Sequence, residues 1–197
     1  MTLNLMTSKL FHGELVRLAA ANADTDTDIW ASWGRDSEFL RLLDSDAAKP
    51  WSRQQARKEL EEEPKPHAFP FVMRTLADDR LVGFIGLWIP NWNQGDGWVG
   101  IGIGQRSDWG KGYGTDAMRV LLRYAFTEIN LRRVSLGLFA YNPRAQRAYE
   151  KAGFVLEGRM RQAHCRDGQR LDELLMGVLR EEWEEKNPTL QALEPGA

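Results

Sequence analysis

The chain has 197 residues, 43% hydrophobic and 27% charged, with 26 Lys and Arg against 28 Asp and Glu for a net charge of −2. That length suits one domain able to bury roughly two thirds of its unfolded surface, and the near balance of charge supplies no field that would draw nucleic acid or an anionic membrane. A single cysteine, Cys165, excludes an internal disulfide; with no basic segment leading into an apolar run at the N-terminus, the expected compartment is the reducing cytoplasm.

Leu15 to Leu18 alternates as a first strand. From Asp28 to Leu43, the residues Ile29, Trp33, Phe39, Leu40 and Leu43 recur at helical intervals. Ser52 with Gln55 three residues on forms a capping box for a helix that stops before Pro64. Phe69–Arg74 and Leu81–Ile89 read as strands of a hairpin around Ala77-Asp78-Asp79-Arg80. The second is the longest apolar stretch and falls far short of the ~20 residues a bilayer span needs. Trp98–Gly104 reads as a further strand. Met118, Leu121, Leu122, Ala125 and Ile129 then mark one buried stripe of a helix. Arg133–Tyr141 reads as a strand, and Asn142-Pro143 as the N-cap and first residue of a short helix that Gly153 ends. Phe154–Glu157 and Asp172–Leu179 complete the strands. Most of the eight tryptophans are expected in the core. The domain is expected to span residues 1–184, and 185–197, polar with two prolines, to form a loose tail.

The segment Trp109-Gly110-Lys111-Gly112-Tyr113-Gly114-Thr115 places a glycine at every second position directly before a helix. Such a loop exposes successive main-chain N–H groups at the positive end of a helix dipole, which makes a phosphate receptor out of backbone. Neither a P-loop nor a dinucleotide fingerprint fits. Lys111 is followed by Gly112 rather than Ser or Thr, and the G-x-G pairs at 110 and 102 run on to Thr115 and Ser107 instead of a third glycine. His12, His67 and His164 are too scattered to form a metal site, and Arg159, Arg161, Arg166 and Arg170 read as solvated surface.

A strand, the glycine loop, a helix, a strand ending in Asn142, and a short helix carrying Tyr149 before Gly153-Phe154 form one ordered set. With it the chain resembles the GNAT superfamily of N-acetyltransferases, in the branch acting on ribosomal-protein N-termini, polyamines and small amines. The resembling blocks are 109–117, 142–154, and Glu157-Gly158-Arg159 through Arg166-Asp167-Gly168 to Asp172 and Met176. The likeness runs from about Leu15 to Trp183.

The resemblance implies an α/β (α+β) fold: a mixed, mostly antiparallel twisted sheet whose central parallel strands splay, flanked by helices. It also implies acetyl-CoA as co-substrate, with no metal. Ile103, Gly104, Trp109, Gly110, Lys111, Gly112, Tyr113, Gly114, Thr115, Asn142, Ala145 and Lys151 would bind it, the pantetheine arm lying between the two splayed strands. Tyr149 falls at the family's general-acid position, with Asn142 beside it as a second catalytic residue. The acceptor would be a small primary amine or a peptide N-terminus, held by the first two helices and the Gly158–Asp172 region, and a homodimer is also implied.

Many relatives place a glutamate on the strand before the loop, where this chain reads Gly97-Trp98-Val99-Gly100. Asp96, Asp172 and Glu38 are the candidate stand-ins. A site without a strong base suits α-amines, which are ~10% neutral at pH 7, better than lysine-type amines, which are below ~0.1%. The missing carboxylate also supports an alternative, a non-catalytic acyl-CoA-binding or sensing domain, against which Tyr149 speaks.

Overall fold

The computed structural model describes residues 10–188. Its elements run β1 (Val16–Ala19), α1 (Ala23–Trp33), α2 (Ser37–Leu43), α3 (Arg53–Glu61), β2 (Ala68–Thr75), β3 (Leu81–Asn91), β4 (Asp96–Ile103), α4 (Tyr113–Thr127), β5 (Arg133–Phe139), α5 (Pro143–Ala152), β6 (Val155–Arg166), β7 (Gln169–Leu179) and α6 (Arg180–Lys186). The strands form one seven-stranded sheet in the order β1-β2-β3-β4-β5-β7-β6. Every neighbouring pair is antiparallel except β4–β5. This is the mixed α/β architecture expected from the resemblance.

Period-two alternation sends successive side chains to opposite faces of the sheet and so builds two cores. Ile85, Leu87 and Ile89 join Met118, Leu121, Leu122 and Ala125 of α4 on one face. Val72 and Phe84 meet Trp30, Trp33 and Phe39 of α1 and α2 on the other. The buried Asp116 side chain of α4 accepts the amides of Glu14, Leu15 and Val16 at 3.0, 2.8 and 2.9 Å, and so fixes the lead into β1.

Three expectations are corrected. The helical stretch over 28–43 is two helices. Gly34 closes α1, and Asp36 opens α2 by accepting the amides of Glu38 and Phe39. The C-terminal hairpin is far longer than 154–157 with 172–179, because β6 continues to Arg166 past an irregularity at Gln162. Trp88, Trp92 and Trp98 are exposed, not core. The helix α6 carries the chain through Lys186, and residues 189–197, the greater part of the expected tail, lie outside those described.

Candidate functional site

The parallel ladder joins only Asp96–Trp98 to Arg133–Ser135, after which β4 and β5 part. On the other side of β4 the ladder to β3 continues, and Gly104 donates its N–H to the Val82 carbonyl at 3.0 Å. Bonded and non-bonded pairs alternate in an antiparallel ladder. The main-chain groups of Ile101 and Ile103 therefore face the opening, where the Ile103 carbonyl accepts the Trp109 indole N–H at 2.8 Å.

A cavity of about 330 Å³ fills one end of the opening, under the glycine loop and against α5. Ile103, Trp109, Gly110, Gly112, Tyr113, Gly114, Thr115, Asn142, Ala145, Tyr149 and Lys151 all line it. Gly104 and Lys111 do not. The Gly104 amide is spent in the β3 ladder, and the Lys111 ammonium is drawn 3.4 Å from Asp108.

The loop takes its shape from glycine. Gly110 and Gly112 have φ of 79° and 91°, a region L side chains avoid, and a β-carbon on Gly110 would meet open space. Gly112 is the N-cap of α4 and offers no side-chain acceptor, so the first amides of the helix are left for a ligand. The base of the loop is held by the buried Asp108, which accepts both Arg80 guanidinium nitrogens at 2.7 and 3.0 Å. That pairing holds the Asp108 carboxyl below the usual carboxylate range. Arg144 from α5 stacks on Trp109, 3.7 Å from the ring centroid, and burial lowers its pKa. A tunnel end with open amides, a flat ring and a cation fits a diphosphate carrier such as coenzyme A.

A second cavity, of about 250 Å³, lies beyond the first. Ile101, Asn142, Ala145 and Tyr149 belong to both walls. Asn142 caps α5 by accepting the Ala145 amide at 3.2 Å, and Thr115 ties α4 to α5 through the Ala148 carbonyl at 3.2 Å, which sets where Tyr149 points. Burial pushes the Tyr149 phenol up to about 12, an effect the nearby Arg144 charge only partly offsets.

Leu42, Leu43, Asp44 and Ser45 at the end of α2 close the second cavity. This strap is pinned by Arg41 to Asp167 at 2.6 Å and by the Tyr141 hydroxyl to the Arg41 carbonyl at 3.0 Å. The region around α2 and the β6–β7 hairpin thus frames this pocket.

None of the expected stand-in carboxylates lines either cavity. Glu38 pairs with Arg106 at 2.5 Å. Asp172 holds Arg159 at 2.8 Å and the Gln162 amide at 2.9 Å. Asp96 sits at the far end of β4, level with Arg133. Two carboxylates line the second cavity, Asp44 and Glu173, both unforeseen from sequence; Glu173 has His164 at 3.1 Å. Its signal was the alternation of β7, where Leu174, Met176 and Val178 are core and Glu173 must face the other way. Among the described residues, no group of three or more His, Cys, Asp or Glu could hold a metal ion, and no helix is long and apolar enough to cross a membrane.

Residues 16–155 match the family model described as "Acetyltransferase (GNAT) domain". The chain belongs to this family and is an acetyl-CoA-dependent N-acetyltransferase. It is 29% identical over 150 residues to the SPbeta prophage-derived uncharacterized N-acetyltransferase YokL of Bacillus subtilis, covering 76% of this chain and 82% of that protein. It is 32% identical over 74 residues to the spermidine N(1)-acetyltransferase of Vibrio cholerae, 38% of this chain and 43% of that one. The crystal structure of the Vibrio cholerae spermidine N-acetyltransferase in complex with CoA and spermine superposes with a TM-score of 0.72 at 22% identity, over 85% of this chain and 97% of the other.

Proposed function

We propose that the chain acetylates a small primary amine by direct attack of the amine on the acetyl-CoA thioester, with Tyr149 as general acid. The observation that carries this reading is the position of Tyr149 in the wall common to both cavities, its phenol kept protonated by burial. A donor between a carrier cavity and an acceptor cavity is where a departing thiolate needs its proton. The loop amides of 110–114 and the ring of Trp109 would hold the diphosphate and adenine end, and the exposed edge of β4 at Ile101 and Ile103 would bind the pantetheine amides as an added strand. Asn142 orients α5 and borders the reacting centre. The size of the second cavity and relatives named for spermidine acetylation support a small alkylamine or polyamine over a peptide N-terminus. The test is thiol release from acetyl-CoA with a panel of alkylamines, polyamines and N-terminal peptides. Turnover fastest on a small amine is expected. Tight acetyl-CoA binding with no turnover on any amine would replace this reading with acyl-CoA sensing.

A further inference from the structure

The acetyl-transfer reading leaves one chemical demand unmet. A lysine-type amine enters as an ammonium, less than ~0.1% neutral at pH 7, and only the neutral form is a nucleophile. We propose that Glu173, oriented by His164, takes that proton, so that this pair is the acceptor-side base of the reaction. The inference rests on the acetyl-transfer reading above.

Three observations carry it. Glu173 lines the second cavity together with Tyr149, so base and acid flank one space. Its carboxylate lies across Gly137 of β5, where a β-carbon would run into Oε1; the glycine is what lets the side chain reach over the strand. Its Oε2 is 3.1 Å from His164 Nε2, and the His164 ring is fixed edge-on against Phe139, centroids 4.8 Å apart. Both side chains are mostly but not wholly covered, 16% exposed for His164 and 25% for Glu173, so the pair can pass a proton on to water.

The electrostatic surroundings distinguish Glu173 from the other carboxylates nearby. The remaining titratable groups lining this cavity are Asp44, from the segment after α2, and Tyr149, from α5. No Lys or Arg does so among the described residues. On its own hairpin, Asp172 is occupied by Arg159, and Arg166 donates to the Asp44 carbonyl at 2.5 Å. Asp172 and Glu38 are held by guanidinium groups, whereas the polar partner of Glu173 is the His164 imidazole.

The ammonium gives one N–H proton to the Glu173–His164 pair, which releases it to solvent. The neutral nitrogen forms the C–N bond as the C–S bond breaks, and the sulfur takes the Tyr149 proton. The second N–H proton, lost from nitrogen as the amide forms, restores Tyr149. Per turnover, ammonium and acetyl-CoA become amide, CoA thiol and one free proton.

Glu173→Gln keeps the shape and removes the base. Against an alkylamine near pKa 10, kcat/KM at pH 7 should fall ~10²- to 10³-fold, the share of the amine that must be deprotonated. The deficit should shrink about tenfold per pH unit towards the amine pKa. Against trifluoroethylamine, neutral at pH 7, the same variant should stay within a few-fold of wild type, with acetyl-CoA affinity unchanged. His164→Gln, altering the positioning residue, should show the same split between acceptors at smaller amplitude, and serves alone if Glu173→Gln does not fold. An equal loss on both amines at every pH, or wild-type rates on the alkylamine at pH 7, overturns the assignment while the acetyl-transfer reading stands. Wild-type protein that binds acetyl-CoA and turns over no amine overturns both.

Discussion

Tyr149→Phe is the sharpest test of the proposed acid. The substitution deletes one oxygen and keeps the ring, whose centroid lies 6.2 Å from that of Phe154. The Tyr149 hydroxyl has no hydrogen-bond partner in the protein among the described residues, so its removal orphans no buried group, and stability should change by no more than ~0.5 kcal/mol. The catalytic effect is of another size. With the phenol pushed up to about 12, only about one Tyr149 in 10⁵ is ionised at pH 7, and the donor is in place on nearly every encounter. Losing a positioned proton donor costs ~10²–10⁴ in rate, or about 3–5 kcal/mol of barrier. In a thiol-release assay at saturating acetyl-CoA, kcat should fall by that factor, while the acetyl-CoA dissociation constant from calorimetry stays within about twofold. The sign of the pH effect follows from the raised pKa. The protonated phenol is the working form, so its contribution is complete below about pH 11 and declines only above. A kcat within twofold of wild type refutes the reasoning. So does a fall matched by an equal loss of acetyl-CoA affinity, which would assign Tyr149 to packing alone.

Two further substitutions probe the loop and the start of α2. Gly112→Ala forces a β-carbon into φ 91° and to 3.2 Å from Leu15 Cδ1, so the protein should lose ~1–2 kcal/mol and acetyl-CoA should bind more weakly, read by thermal shift and calorimetry; unchanged affinity would separate the loop from the carrier. Asp36→Asn keeps a competent cap for α2 but breaks the contact with Arg106, whose hydrogen bond, with two backbone amides, lowers the Asp36 pKa from 3.8 to about 2 despite partial burial. A depressed carboxylate pKa stabilises the fold above the unfolded value near 3.9 and stops doing so as pH falls through about 2. Screening at this half-exposed pair reduces the effect to about 1 kcal/mol or less at pH 7, and the variant and wild-type denaturation midpoints should converge by about pH 2.

What could be read from the chain divides according to how far apart the informative residues lie. Ser52 with Gln55, and Asn142 with Pro143, are caps made within four residues, and both form where expected. The glycine loop is equally local: its alternation and the stripe of α4 behind it sit within twenty residues. The break between α1 and α2 was visible only as Gly34 followed by Asp36, a stop and a start, and it was outweighed by apolar spacing that happens to continue through Phe39 and Leu43. The full length of strand β6 is hidden in the sequence for another reason. It is the edge of the sheet, mostly exposed on both faces, so residues 159–166 carry no apolar alternation to find.

The acceptor side was least legible, because its chemistry is assembled across the sheet rather than along it. Alternation alone turns Glu173 away from the core, but says nothing about whether that face meets solvent, a helix or a cavity. The answer needs the register that sets Gly137 opposite Leu175, which leaves the glycine diagonal to Glu173, and it needs α2 drawn across by Arg41 and Asp167. A glycine and a glutamate 36 positions apart carry no joint meaning until two strands align them. A carrier of fixed structure can be met by a contiguous loop and a helix end, and that half of the site is written locally. The proposed acceptor half is composed from strand partners and a strap, so its carboxylate, His164 and small floor must be found in three dimensions before they support a proposal of amine deprotonation.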